Sequence, residues 1–384
     1  MSDETQSGVT DVPAATVQVY VGVKSAVVVS AGRGLCCDGL DPAFRIPQGV
    51  AAWDVIRFTI PDGVAGCYVP VVVQIGRFVS NLAAISIAPD GGKCAPAIST
   101  LPEDLTKQLA DQKGVSVGAL SFGRGTGTNA TAAGVVRTTK GDTGSATFIS
   151  YADVPASLFA ADYFYSENVC QINGFPGPNG GPTLNGVEFP IVPLKAVNLD
   201  AGPNITVNGS TGTRTIPRIT VGALVGYRGT DFGTATPGNY FDPGHYTVTG
   251  TGGKDVGAFT TSFDVPQTRF VLTNQPSVTE PLDRSQDLTI TWTGGIPGTQ
   301  VTIVGGSLVN GVSAAFLCAA PVAAGQLTIP SWVLLNLSPT ATGPGTVPGQ
   351  LTIGNRKVTT FKVSGLDIPS VAYAEAHTLY LSYK

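Results

Sequence analysis

From Val17 onward the chain divides into short runs of valine, isoleucine, threonine and aromatic residues, and nearly every run is closed by glycine, proline, aspartate or asparagine. β-Branched and aromatic side chains suit a pleated, half-buried surface, while the closing residues are the ones that reverse a chain. Short alternating runs between such punctuation read as strands of a sandwich. The pattern is not that of disorder: Gly 49 and Pro 28 make up 20% of the chain, short of the roughly 25–30% of low-complexity sequence. Apolar residues reach 42% of 384, enough to fill cores of ordinary size. The expected fold is all-β: tandem Ig-like β-sandwich domains with at most one or two short helices.

Residues 1–11 are polar and are expected to be a flexible leader. Residues 12–98 carry strands at Val17–Val23, Ala26–Ser30, Val55–Ile60, Tyr68–Ile75 and Ala83–Ile87, as one Ig-like sandwich. Pro70 lacks a backbone donor, which places its part of a strand at an edge or a bulge. Thr100-Leu-Pro-Glu103 has the form of a capping box, with Leu101, Leu105 and Leu109 at helical spacing, so a short helix is expected there. Strands resume at Val115–Phe122, Val135–Thr139, Ala146–Tyr151 and Tyr163–Ile172, within a middle β domain over 99–265 that includes a hairpin across Gly250–Lys254. Residues 266–384 repeat the rhythm from Phe270–Thr273 to Thr378–Tyr383, as a C-terminal Ig-like sandwich.

Charged residues are only 12% of the chain and the net charge is −4. Nucleic acid, which needs basic patches for its phosphates, is not the expected partner. No apolar run is long enough for a membrane span. The run Val17–Val29 follows Asp3, Glu4 and Asp11 and alternates like a strand, so it does not read as a signal peptide. An exported chain would have its signal removed or outside this sequence.

Six cysteines stand at 36, 37, 67, 94, 170 and 318, with no C-x-x-C and only two histidines. That pattern points away from structural zinc and toward disulfides in an oxidising compartment. Cys36 and Cys37 are adjacent, so in extended chain they face opposite ways and need different partners. The nearest are Cys67 and Cys94, as Cys36–Cys67 with Cys37–Cys94 or the reverse, which leaves Cys170 for Cys318.

Candidate chemistry is sparse. Gly114-Val-Ser-Val-Gly118 matches the nucleophile-elbow pattern, but Ser116 continues a strand alternation with no helix after it, and a triad would have to recruit His245 or His377. Asp242, His245 and Asp255 flank one hairpin at no recognised metal-ligand spacing. Gly123-Arg-Gly-Thr-Gly-Thr lacks the lysine and opening helix of a phosphate loop and reads as a flexible loop. Asp54, Asp162, Glu167 and Asp231 sit near aromatics, where paired carboxylates would serve glycoside hydrolysis, but each reads as a turn or surface residue. Trp292 falls on the apolar face with Leu288 and Ile290 and reads as core, Trp332 is a further candidate sugar platform, and Trp53 is the tryptophan expected to be exposed. No catalytic residue, metal site or cofactor is expected.

Two stretches carry a likeness to known proteins. The first runs from Phe44-Arg-Ile-Pro through Ile60-Pro-Asp-Gly-Val-Ala-Gly-Cys67 to Ile85-Ser-Ile-Ala-Pro-Asp-Gly-Gly-Lys-Cys94, and the second from Asp242-Pro-Gly-His-Tyr through Ile290-Thr-Trp-Thr-Gly-Gly to Leu327-Thr-Ile-Pro-Ser-Trp332. They resemble the Ig-like (IPT/TIG-like) modules of exported proteins of acidobacterial type. The resemblance implies export, β-sandwich modules and no catalytic residues to carry over. The expected role is a non-catalytic extracellular or cell-surface structural or adhesive protein. Its partners would be copies of itself in a filament or layer, or other surface proteins, met through strand edges. The alternating Val17, Val19, Val21 and Val23 would be a strand donated to a neighbour. A carbohydrate-binding module is the alternative.

Overall fold

The computed structural model describes residues 16–33, 54–155, 164–165 and 170–384 apart from short stretches, the longest being 176–182, 189–194 and 233–239. The fold is all-β, and the α-helices among the described residues are Glu103–Leu109 and Ser331–Leu335. The first is the helix expected from the capping box, and it seats Leu105 and Leu109 against Val115 and Ile368.

β1 (Val17–Val21), β2 (Lys24–Arg33), β3 (Asp54–Thr59), β4 (Gly66–Ile75) and β5 (Phe78–Val79) make an antiparallel sheet in the order β3-β2-β1-β4-β5. β6 (Ala83–Ile87) also pairs with β4. Alternation sorts the faces: Val19, Val21, Ala26 and Val69 close a small core, while Tyr20 and its cross-strand partner Val72 turn the other way, onto the C-terminal body. The Tyr20 ring lies 6.4 Å from that of Trp332. Pro70 pairs with Ala84 of β6, but the register with β1 starts only at Val71. Toward β1, Pro70 therefore only accepts, its carbonyl taking the Gly22 N–H at 2.9 Å, as a residue without an N–H requires.

β7 (Ile98–Ser99) precedes the long hairpin of β8 (Lys113–Ala130) and β9 (Val136–Pro155), and β10 (Phe164–Tyr165) returns to pair with β7. β11 (Cys170–Phe175), β12 (Thr183–Leu184), β13 (Val187–Glu188) and β14 (Lys195–Asn198) follow. Next come β15 (Asn204–Gly209), β16 (Gly212–Val221), β17 (Leu224–Arg228), β18 (Gly244–Gly250) and β19 (Phe259–Val265). β20 (Val271–Leu272), β21 (Leu288–Thr293), β22 (Gln300–Val309) and β23 (Val312–Pro321) lead to β24 (Gln326–Ile329), β25 (Gly349–Thr360) and β26 (Ile368–Leu381).

Most of these strands share one sheet, in the order β13-β12-β11-β23-β22-β25-β26-β8-β9-β17-β16-β15-β18-β19. β26 fits between β25, to which it is antiparallel, and β8, to which it is parallel from Ile368↔Val117 to Tyr380↔Asn129. The ladder therefore runs across residues 265/266, because β26 completes a sheet begun by residues near 113.

Two cores nonetheless lie on that sheet. One gathers Phe122, Phe148, Phe232, Tyr246, Phe263 and Tyr373; the other gathers Ile172, Val301, Ile303, Trp332, Leu351 and Leu379. Residues of β26 alternate between faces, so Tyr373, Glu375, His377 and Leu379 line one face and run from the first core to the second. The two polar residues between them mark a seam.

Among the described residues two cysteine pairs are joined. Cys170 and Cys318, the pair expected from the sequence, stand directly opposite on β11 and β23. Cys67 is bonded to Cys94, which corrects the expected pairing of both with Cys36 and Cys37. The reason is local: β6 folds back along β4, with Ile87 opposite Gly66, and brings Cys94 to Cys67. Cys36 and Cys37 lie outside the described residues.

Candidate functional site

The seam is built by three neighbouring strands in register. Glu375 of β26 lies opposite Arg124 of β8, and Arg124 lies opposite Asp142 of β9. One step further along the same face, His377, Thr126 and Lys140 form the next row. One step back, Tyr373 and Phe122 belong to the aromatic core, with Gly144 beside them. The backbone crosses above the rows at Phe241 and again at Arg269 and Phe270.

Burial forces these charges to be paired. Asp142 is 3% exposed. Arg124 donates from Nε to Asp142 Oδ1 at 2.6 Å and from Nη2 to Oδ2 at 2.8 Å, a two-point contact that suits the planar guanidinium. The Phe241 N–H donates to Asp142 Oδ2 at 2.8 Å, and Arg124 Nη2 also reaches the Phe241 carbonyl at 3.0 Å. Burial alone would lower the pKa of Arg124, but the bond and charge of Asp142 raise it above its ordinary value.

Glu375, 6% exposed, is held as firmly. Arg269 Nε donates to its Oε1 at 2.7 Å, Tyr373 Oη donates to the same oxygen at 2.9 Å, and the Phe270 N–H donates to Oε2 at 2.8 Å. Burial first, and then the charge of Glu375, push the Tyr373 hydroxyl well above its ordinary pKa, so it stays a proton donor. Arg269 also donates from Nη1 to the Phe241 carbonyl at 3.0 Å, while its buried Nη2 has no hydrogen-bond partner.

A cleft of about 320 Å³ opens over the second row, lined by Arg124, Thr126, Lys140, Arg269, Glu375 and His377 among others. Burial is the main influence on His377 and lowers its pKa below 6.5, with a bond to the Phe270 backbone and the charge of Glu375 pulling it up and Lys140 pushing it further down. At neutral pH the imidazole is uncharged. The cleft thus presents guanidinium and ammonium donors around one carboxylate that is already engaged.

The residues singled out in the sequence fall elsewhere, with the exception of His377 and of Arg124 and Thr126 in the Gly123–Thr128 stretch. Ser116 sits in β8, where its hydroxyl bonds the Ser150 hydroxyl at 3.1 Å and its N–H donates to Asp367 at 2.8 Å. His377 is opposite Thr126, roughly 30 Å along the strand from Ser116 at the usual rise per residue. His245 pairs with Asp264 across β18 and β19 at 2.7 Å, while Asp255 accepts a bond from the Asp200 N–H, so Asp242, His245 and Asp255 do not form one site. Among the described residues no three His, Cys, Asp or Glu side chains group to hold a metal ion. Trp292 and Trp332 are both buried, at 2% and 0%, so neither is a sugar platform. Asp54 opens the edge strand β3; Trp53, Asp162, Glu167 and Asp231 lie outside the described residues.

The charges of the seam escape a motif search because they come from three separate strands, β8, β9 and β26, and, for Arg269, from the segment before β20. Gly123–Thr128, expected to be a flexible loop, is part of β8, and its period-two alternation of Phe122, Arg124 and Thr126 was the signal that places Arg124 on the inner face. The expected donor strand is β1 of the N-terminal sheet: Val19 and Val21 pair with β2 on one side and β4 on the other, Val17 pairs with Ile75 of β4, and Val23 packs against the C-terminal body. No helix among the described residues is long and apolar enough to cross a membrane. No family model matches the chain, and no curated protein matches it.

Proposed function

We propose that this chain is a non-catalytic structural or adhesive protein of the cell exterior that joins other copies of itself through the edge of its N-terminal sheet. The observation that carries the reading is the apolar row beside edge strand β3. On β2, Val27 is 71% and Val29 67% exposed, and β3 is the terminal strand of the sheet among the described residues. An open edge offers backbone donors and acceptors to a further strand, and exposed valines next to it supply apolar surface to cover. The disulfides Cys67–Cys94 and Cys170–Cys318 fit an oxidising compartment, which supports export. The likeness to exported Ig-like (IPT/TIG-like) modules points the same way.

The test is negative-stain microscopy with light scattering on the purified chain and on a V27K/V29K variant. The expected result is filaments or layers from the natural chain and single particles from the variant, since lysines at Val27 and Val29 replace the apolar surface beside the edge by charge that a neighbouring copy would have to cover. A natural chain that stays a monodisperse monomer at about 100 μM, a concentration well above that needed for micromolar affinity, would remove the reading.

A further inference from the structure

The cleft at the seam is independent of the sheet edge and points to a ligand of its own. Arg124, Arg269 and Lys140 bring three positive charges, and Glu375 and Asp142 bring two negative ones, so the site carries one positive charge in excess. Two of the three cations are already oriented by buried carboxylates and need no reordering to bind. Arg269 keeps one buried donor, Nη2, without a partner, and a buried donor left unmade is costly. The second open cation, Lys140, lies across β8 from His377 in the row that floors the cleft.

We propose that this cleft binds a small ligand through a single carboxylate, which accepts from Arg269 Nη2 and neutralises Lys140. A singly charged group matches the excess charge. A phosphate monoester carries about −1.5 to −2 near neutral pH and would face Glu375 with an unmatched charge. The volume of about 320 Å³ lies at the small end of ligand sites, roughly 300–1,000 Å³, and suits a simple organic acid or a single sugar acid.

Calorimetric titration of the full-length chain at neutral pH and low salt, with sodium acetate, sodium glucuronate, D-glucose and inorganic phosphate, tests this. Saturable binding of acetate and glucuronate at one per chain, with none of glucose, is expected. Comparable affinity for the two assigns the ligand to simple acids, and tighter glucuronate assigns it to sugar acids. The exposed Lys140, changed in K140Q, leaves the buried pairs intact and is expected to weaken binding about fivefold, the scale of one exposed charge contact. R269Q is expected to abolish binding; because it also unpairs Glu375, its folding is checked by circular dichroism, and K140Q decides the matter if it does not fold. Absence of saturable carboxylate binding, phosphate bound more tightly than either acid, or a K140Q variant with unchanged affinity would each overturn the proposal.

Discussion

The two cores on the large sheet are held by different means. In one, rings dominate: Phe263 stacks on Tyr246 at 5.3 Å and on Tyr373 at 5.6 Å, and Phe122 stacks on Phe263 at 4.8 Å. Hydroxyl groups tie these rings to nearby backbone, Tyr240 to the Val207 and Gly212 carbonyls and Tyr246 to those of Tyr240 and Asp242. Burial raises the pKa of Tyr240 to about 12, so that hydroxyl remains a donor throughout the physiological range. The other core is mostly aliphatic, with Val301, Ile303, Leu327, Leu351, Ile353 and Leu381 around the buried Cys170–Cys318 bond. Ring pairs add directional energy, about 0.5–1.5 kcal/mol each beyond the area they bury. Aliphatic contacts add none, and there the chain uses a covalent tie. Between them the seam keeps the cores distinct, because paired charges resist being covered by either.

The largest expected effect comes from the covalent tie. Replacing Cys170 and Cys318 by alanine releases a closure spanning 148 residues, about 5 kcal/mol on the loop-entropy estimate. Because β26 belongs to both cores, the expected result is one thermal transition at lower temperature, with aromatic near-UV dichroism and total helix-strand signal lost together. A separate, unshifted transition from the aromatic core would show that the cores are independent units.

A smaller effect is expected at the seam. D142N leaves the Arg124 guanidinium buried, at 10% side-chain exposure, without its counter-charge. Breaking a buried pair in this way costs about 3–5 kcal/mol, to be read from the urea midpoint. D264N removes the His245 pair, whose side chains are 62% and 67% exposed, and is expected to change stability by less than about 1 kcal/mol. Equal losses at the two sites would mean that the seam is not the buried layer described.

The smallest effect concerns acid. The His377 imidazole has a folded pKa below 6.5 because burial disfavours its charged form. The unfolded chain therefore takes up this proton first as acid is added. Its contribution to stability is complete above pH 6.5 and is lost as the pH falls from there through the folded value. H377Q is expected to remove that part of the slope in urea midpoints measured at several values below about pH 7; a slope identical in both proteins would place the titration elsewhere.

Glycine shows why some of this was legible and some was not. Counted as punctuation, glycines 141 and 144 divide Val135–Thr139 from Ala146–Tyr151, yet both lie within the single strand β9. The role of Gly144 is space. A Cβ there would lie 2.8 Å from the Phe232 ring, and at Gly229 2.2 Å from it. Gly250 and Gly305 do the same for the rings of Phe259 and Phe316 directly opposite them. A glycine that seats a ring and a glycine that turns a chain are the same letter, and only the neighbouring strand tells them apart.

What the sequence by itself determined is the all-β class, the short helix at Glu103–Leu109 and the core position of Trp292. These follow from periodicity and from end signals, both of which are local, whereas the Cys170–Cys318 bond rests on β11 lying opposite β23. Only the tertiary structure decided that β26 lies beside β8, that β1 is an interior strand, and that Arg124, Asp142, Arg269 and Glu375 meet. Alternation states which face of a strand is buried but not which strand lies next to it. The ladder is made of backbone groups that every residue but proline shares, so the choice of neighbour falls to the packing of whole cores.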